Sequence, residues 1–244
     1  MKHNLHPLLT FLLCILCLYI YPKRVELRVK NKDEWRKVAF KWVYDTQLWR
    51  GKEENQHIPL SGPGSTLEST GALRELLPAI VTITGAESML DAGCGDFTWM
   101  QKTPLPLKKY IGADIVESVI QTNKEKYEHG IYSFECLDVA KDTIPKVDII
   151  LCRDCLAHLS FADITKAVRN FKKSRSTYLL ASTFPKVKAN ITDIDSGNFR
   201  AVNLRAYPFN FPTPIMLFQE VTAEHDMKKI GKYMALWKLE DIEV

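Results

Sequence analysis

The sequence predicts an α/β fold: a doubly wound, mostly parallel seven-stranded sheet with a reversed closing strand, preceded by an N-terminal hydrophobic anchor helix. Three observations predict it. From residue 88 onward, short apolar runs alternate with helical stretches, the pattern of strands joined by right-handed crossovers. The first run ends in Gly93-Cys94-Gly95, a side-chain-poor turn at a strand end. The last two runs, Ile215–Val221 and Lys232–Leu239, have only a turn between them and read as an antiparallel pair.

The chain has 244 residues, 46% apolar and 25% charged. That is globular composition and excludes a disordered, collagen-like or polytopic membrane protein. Leu8 to Tyr21 is almost wholly apolar but spans only 14 residues, short of the ~20 a helix needs to cross a bilayer. No small-residue cleavage site follows it; Pro22-Lys23-Arg24 does. A short uncleaved signal anchor over residues 1–22 fits better than a cleaved signal peptide or a soluble helix. The anchor implies a membrane-attached protein of the endomembrane system, ER or Golgi. Basic residues after the anchor favour a cytosolic body, whereas the sequon at Asn190 has meaning only for a luminal one.

Residues 22–52 hold ten Lys/Arg against four Asp/Glu, while residues 53–244 hold 22 against 25. The faintly acidic body lowers nucleic acid as a partner. A basic amphipathic helix and linker are expected over 23–64, with Trp35, Val38, Ala39, Trp42 and Trp49 as the docking stripe and Phe40 off it. The turn-rich linker PLSGPGST precedes a helix capped by Ser65 or Thr66, which opens the main domain, 65–244. Its strands are expected at 88–92, 110–114, 132–138, 147–152 and 177–182, with helices over 116–128 and 160–174. Six cysteines sit at no disulfide-framework spacing, and the single Cys152-x-x-Cys155 lacks a second ligand pair, so no metal is expected.

The chemistry concentrates at the strand ends. Asp91, Gly93 and Gly95 form the first turn, and a helix should follow it. Asp114 ends the second strand, where a carboxylate can take ribose hydroxyls. Asp138 ends the third, beside Val139, where a carboxylate can accept from an exocyclic amine. Each is also an ordinary turn residue; three acidic strand ends beside one Gly-x-Gly turn point to a nucleotide crevice. The third glycine of the dinucleotide fingerprint is missing, which argues against NAD or FAD.

Met89-Leu-Asp-Ala-Gly-Cys-Gly95 resembles the first motif of the class I S-adenosylmethionine-dependent methyltransferases. Asp114, Asp138 and the strand Val147–Cys152 fall where that family has its next three motifs, and the closing strand pair is similar to its reversed last strand. The stretches GCGDFTWM, YIGADIV, DIILCRDCLAHL and GNFRAVNL also resemble a small, mostly bacterial group of such enzymes. The resemblance covers roughly residues 65–240. It implies S-adenosyl-L-methionine as cofactor: Asp91, Gly93 and Gly95 under the methionine, Asp114 on the ribose, and Asp138 with Val139 at the adenine. Asp96 departs from the pattern; it reads equally as a partner for the cofactor's ammonium or as a helix N-terminal acid.

After the fourth strand, Asp154 and His158 stand four residues apart, one face of a helical turn, where an aspartate could orient a histidine base. The bland alternative is a capping Asp and a packed His. Arg153 is a candidate either to pair with Asp154 or to bind an acidic group of the substrate. Arg200 and Asn203 are further candidates for substrate binding; they lie in a long aromatic-rich stretch (190–211) that reads as a polyol site or as a self-packed lid. The expected activity is O-methylation of a hydroxylated small molecule or glycan. The alternatives are a silent binding protein of the same fold and methylation of a protein or lipid.

Overall fold

The computed structural model describes residues 31–51, 55, 57–220 and 230–243. The expected anchor, with residues 22–30 of the basic block after it, lies outside the described residues. Among the described residues no helix is long and apolar enough to cross a membrane.

Helix α1 (Lys32–Asp45) is capped by Asn31, whose side chain accepts from the Asp33 amide. Its buried face is not the expected tryptophan stripe. Arg36, Val43 and Tyr44 are buried, and Phe40 packs inward with them. The register was set by charge rather than by apolar period. The Arg36 guanidinium, fully buried, must face its carboxylate partners, and the helix turns to bring it there.

Helix α2 (Gly71–Thr84) begins later than expected, at Thr70 rather than at Ser65 or Thr66. Residues 63–65 instead form a 3-10 turn. Strands β1 (Ser88–Ala92), β2 (Lys109–Asp114), β3 (Tyr132–Cys136), β4 (Ile149–Cys152) and β5 (Tyr178–Thr183) are parallel, with β6 (Met216–Gln219) and β7 (Tyr233–Lys238) closing the sheet. The order is β3-β2-β1-β4-β5-β7-β6. Strand β7 runs antiparallel to both its neighbours and lies inside β6, as the reversed-strand expectation requires.

The alternating strand residues supply two cores. Met89, Tyr110, Ile149, Leu151 and Leu180 meet α2 on one face. Leu90, Ile111, Ile150, Leu179 and Trp237 meet helix α4 (Phe161–Lys173) on the other. Helix α3 (Glu117–Tyr127) joins β2 to β3. One connection differs from expectation. No α-helix follows the glycine turn after β1, only a 3-10 turn at 100–102. Phe97, at φ 58°, is buried among Tyr110, Tyr127, Tyr132 and Phe134, so the chain dives into the core where a helix would start. Between β5 and β6 the long aromatic-rich stretch runs without a helix, as expected, and Val202, Leu204, Phe209 and Phe211 fill the α4 face of the sheet.

Candidate cofactor and acceptor site

A cavity of about 310 Å³ opens at the carboxyl ends of β1 to β4, roofed by α1 and the strap that follows it. Asp91, Gly93, Gly95, Asp114, Asp138, Val139, Arg153, Asp154 and His158 all line it. Among the sequence candidates Asp96, Arg200 and Asn203 do not.

The glycine turn is fixed from several sides. The amides of Gly93 and Cys94 donate to the Ala113 carbonyl at 2.8 and 3.0 Å. Gly95 N–H donates to Asp114 Oδ2 at 3.1 Å, and Asn123 Nδ2 donates to the Gly95 carbonyl at 2.8 Å. At φ 56°, Gly95 occupies the left-handed region, and a Cβ there would stand 2.4 Å from Ser61 Oγ. Ser61 belongs to the strap. Its hydroxyl accepts from Asp96 N–H at 3.0 Å, while its own N–H donates to Asp96 Oδ2 at 3.3 Å. Asp96 is therefore spent on holding the strap over the turn. No α-helix starts at Asp96, and it is not among the residues lining the cavity.

At the nucleotide end, Asp114 is buried, and each carboxylate oxygen accepts one amide, from Gly95 and from Val116. Burial weakens it as an acid, pushing its pKa up to about 6. Each oxygen keeps capacity for a further donor. Asp91 Oδ2 accepts from the Tyr110 hydroxyl at 2.6 Å, and burial lifts its pKa to about 7. Asp138 accepts from Ala140 N–H at 2.9 Å and from Arg36 Nη2 at 2.7 Å. Ile115, Leu137 and Val139 supply apolar walls between these acids. A ribose-plus-base group fits this set: two carboxylates at adjacent strand ends, an apolar slot between them, and a side-chain-free turn alongside.

At the other end, the expected Asp154–His158 pair is not made. Residues 156–158 form a single 3-10 turn, and Asp154 precedes it at φ 52°, so the i, i+4 helical geometry is not formed and no hydrogen bond joins the two side chains. Asp154 accepts instead from Lys232 Nζ at 2.7 Å and Ser182 Oγ at 3.2 Å, with Arg153 Nη1 at 3.3 Å. Those cations hold its carboxyl well below the usual range against the opposing effect of burial. Arg153 also donates through Nε to Glu220 at 2.8 Å and through Nη2 to the Gly64 carbonyl at 2.7 Å. Lys232 Nζ lies 3.4 Å from the second Glu220 oxygen. The result is a buried quartet of two cations and two carboxylates under one wall of the cavity. Arg153 is a member of that quartet rather than a free substrate ligand.

His158 is oriented by the backbone. Its Nδ1 meets the Asn198 carbonyl oxygen at 2.8 Å. A carbonyl only accepts, so Nδ1 carries the proton and the neutral ring keeps its lone pair on Nε2. The ring lies between Trp49, 4.8 Å away, and Phe199, 5.4 Å away. Burial lowers its basicity, so the neutral form persists through neutral pH. The polyol comb expected at 190–211 is not assembled. Arg200 donates to the Ala157 and Leu159 carbonyls and stacks over Phe161. Asn203 donates to the Val187 carbonyl. Both pin the stretch to the body, and of its residues Phe199 alone lines the cavity. Sequence reasoning missed Lys232, Ser61, Tyr44 and Arg36. A charged Lys232 opening an apolar strand run was the one local signal for any of them.

Residues 90–174 match the family model of a methyltransferase domain. No curated protein is significantly similar to the chain. The N-methyltransferase NodS from Bradyrhizobium japonicum WM9, in complex with S-adenosyl-L-homocysteine, superposes with a TM-score of 0.56 at 12% identity, over 80% of this chain and 97% of that one. The magnesium protoporphyrin IX methyltransferase ChlM from Synechocystis PCC 6803, with bound SAM, gives 0.57 at 14% identity, over 86% and 98%. The [4+2]-cyclase SpnF gives 0.50 at 14% identity, over 68% and 79%. The fold they share is therefore compatible with more than one chemistry.

Proposed function

We propose that this chain, whose fold is that of the class I S-adenosylmethionine-dependent methyltransferases, uses S-adenosyl-L-methionine to methylate a hydroxyl oxygen of a small acceptor. The observation that carries the reading is His158: a cavity-lining imidazole whose protonated nitrogen is tied to a backbone carbonyl and whose other nitrogen is a free base. Asp114 would hold the ribose, Asp138 and Val139 the adenine, and the Gly93–Gly95 turn the methionine. When bound, the cofactor supplies an electrophilic methyl group on sulfur.

The residues of this chain then do three things. His158 Nε2 receives the proton that the acceptor hydroxyl gives up, an assistance worth about 10²–10⁴-fold. Trp49 and Phe199 flank the base with apolar ring surface. The Arg153–Lys232–Asp154–Glu220 quartet, balanced in charge, holds the floor rigid without placing an unpaired charge against the acceptor. Aromatic walls and paired cations suit a small, uncharged acceptor better than a glycan. We also assign membrane attachment, on the endomembrane side of the cell, to the apolar run 8–21. It is tested by flotation of the full chain with vesicles, and recovery in the soluble fraction would remove it.

The activity is tested in two steps. Calorimetry with S-adenosylhomocysteine should show micromolar binding, and no heat at high micromolar would end the proposal. Incubation with methyl-labelled cofactor and fractions of hydroxylated small molecules should then give a labelled product with the native chain and at least a hundredfold less with His158→Gln. Equal labelling by both proteins would refute the base.

A further inference from the structure

Helix α1 lies outside the matched domain segment, residues 90–174, yet it places Arg36 against the adenine-side acid. The Arg36 guanidinium is fully buried and lines the cavity. It is surrounded by carboxylates: Asp138 receives Nη2 at 2.7 Å and Nε at 3.1 Å, Asp163 receives Nη1 at 2.8 Å, and Asp33 receives Nη2 at 2.8 Å. Asp163 is itself fixed by the Ser196 hydroxyl at 2.8 Å. The fork therefore has a rigid base in α4 and grips Asp138 from one side.

We propose that Arg36 is a positioning residue that makes Asp138 select a 6-amino purine, so that base discrimination is set by a helix outside the matched domain. The inference rests on the methyltransferase reading above. Its chemistry is that of donor and acceptor. A carboxylate oxygen gripped by a guanidinium accepts, so it welcomes an exocyclic amine and repels a carbonyl oxygen at the same place. A fork contacting two guanidinium nitrogens fixes the plane of the carboxylate as a point charge cannot. Arg36 occupies Oδ2 through two nitrogens. Oδ1 accepts from Ala140 N–H at 2.9 Å and, more distantly, from Arg36 Nε at 3.3 Å, leaving it the oxygen for the base.

The test compares two ligands on the full chain by calorimetry: S-adenosylhomocysteine and S-inosylhomocysteine, which carries a carbonyl where adenine has its amine. The native chain should prefer the adenosyl ligand by about tenfold to a hundredfold, the worth of one hydrogen bond to a charged group. Arg36→Lys keeps the buried charge and folds, but cannot chelate; Arg36→Gln removes the charge. The adenosyl preference should shrink several-fold in Arg36→Lys and vanish in Arg36→Gln. A merely structural Arg36 would weaken both ligands together and leave their ratio unchanged. An unchanged ratio in the folded Arg36→Lys variant therefore overturns the proposal, as does equal affinity of the native chain for both ligands. Binding of neither ligand to the native chain would instead bring down the methyltransferase reading beneath it.

Discussion

Replacing Gly95 by alanine tests whether the strap closes on the glycine turn or merely passes near it. The added Cβ would lie 2.4 Å from Ser61 Oγ, 3.0 Å from Ser61 Cβ and 3.2 Å from the Tyr44 hydroxyl. None of these is the loose end of a flexible chain, since Ser61 is tied to Asp96 by two hydrogen bonds. The left-handed backbone at φ 56° adds about 1 kcal/mol for any residue with a Cβ. Losing the two Ser61–Asp96 bonds adds about 1 kcal/mol each. The sum is about 3 kcal/mol, or roughly 6–12 °C in Tm for a domain of this size. Gly85→Ala is the control. Gly85 ends α2 at φ 65° with nothing within 4 Å of the new Cβ, so only the backbone cost applies, about 1 kcal/mol. Calorimetry should show S-adenosylhomocysteine bound at least about tenfold more weakly by Gly95→Ala, and unchanged by Gly85→Ala. Adding Ser61→Gly to Gly95→Ala should recover about 1 kcal/mol, a coupling that distant sites do not show. Equal losses of Tm in the two single variants, with native affinity in both, would refute the strap as a lid.

Three further outcomes follow from the geometry. As the proposed base His158 would act in its neutral form, and its basicity is lowered, so kcat/KM should hold down past the ordinary histidine value and fall only below it; an acid limb at or above pH 6.5 refutes the assignment. Asp114 is lifted to about 6 by burial, and two ribose hydroxyls favour its ionised form, so S-adenosylhomocysteine affinity should weaken as pH falls through about 6; pH-independent binding from 5 to 8 contradicts this. The Asn190 amide donates to the carbonyls of Asn203, at 2.9 Å, and Tyr207, at 3.0 Å, so the sequon should carry no glycan, and Asn190→Asp should cost about 1–3 kcal/mol in denaturant titration. A glycosylated Asn190 in material from a secretory host would overturn that last expectation.

The sheet was legible because its signals are local. Apolar runs, their spacing and the punctuation at Gly93 and Gly95 depend on nothing far away in the chain. The strand-end acids Asp91, Asp114 and Asp138 were legible for the same reason. What could not be read came from long-range charge pairing. Arg36 turns toward its carboxylates, so Val43, Tyr44 and Phe40 face the body from α1, while of the expected stripe Trp49, beyond the helix end, packs on Tyr44 and lines the cavity. Lys232, 78 residues away in sequence, took Asp154 from His158, and a backbone carbonyl at Asn198 filled the role assigned to that aspartate. The missing helix after β1 has a local cause that was misweighed. Phe97 stands where a third glycine is usual, and its aromatic ring drew the chain into the core.

Arg153 carries one last consequence, for the order in which the protein is made. Its guanidinium joins the strap, through Gly64, to Glu220 next to β6, while Lys232 before β7 completes the same cluster. Glu220 and Lys232 are the last members of the cluster to be synthesised. A nascent chain halted before residue 220 leaves Arg153 and Asp154 without these two partners, so the quartet closes only once synthesis has passed residue 232.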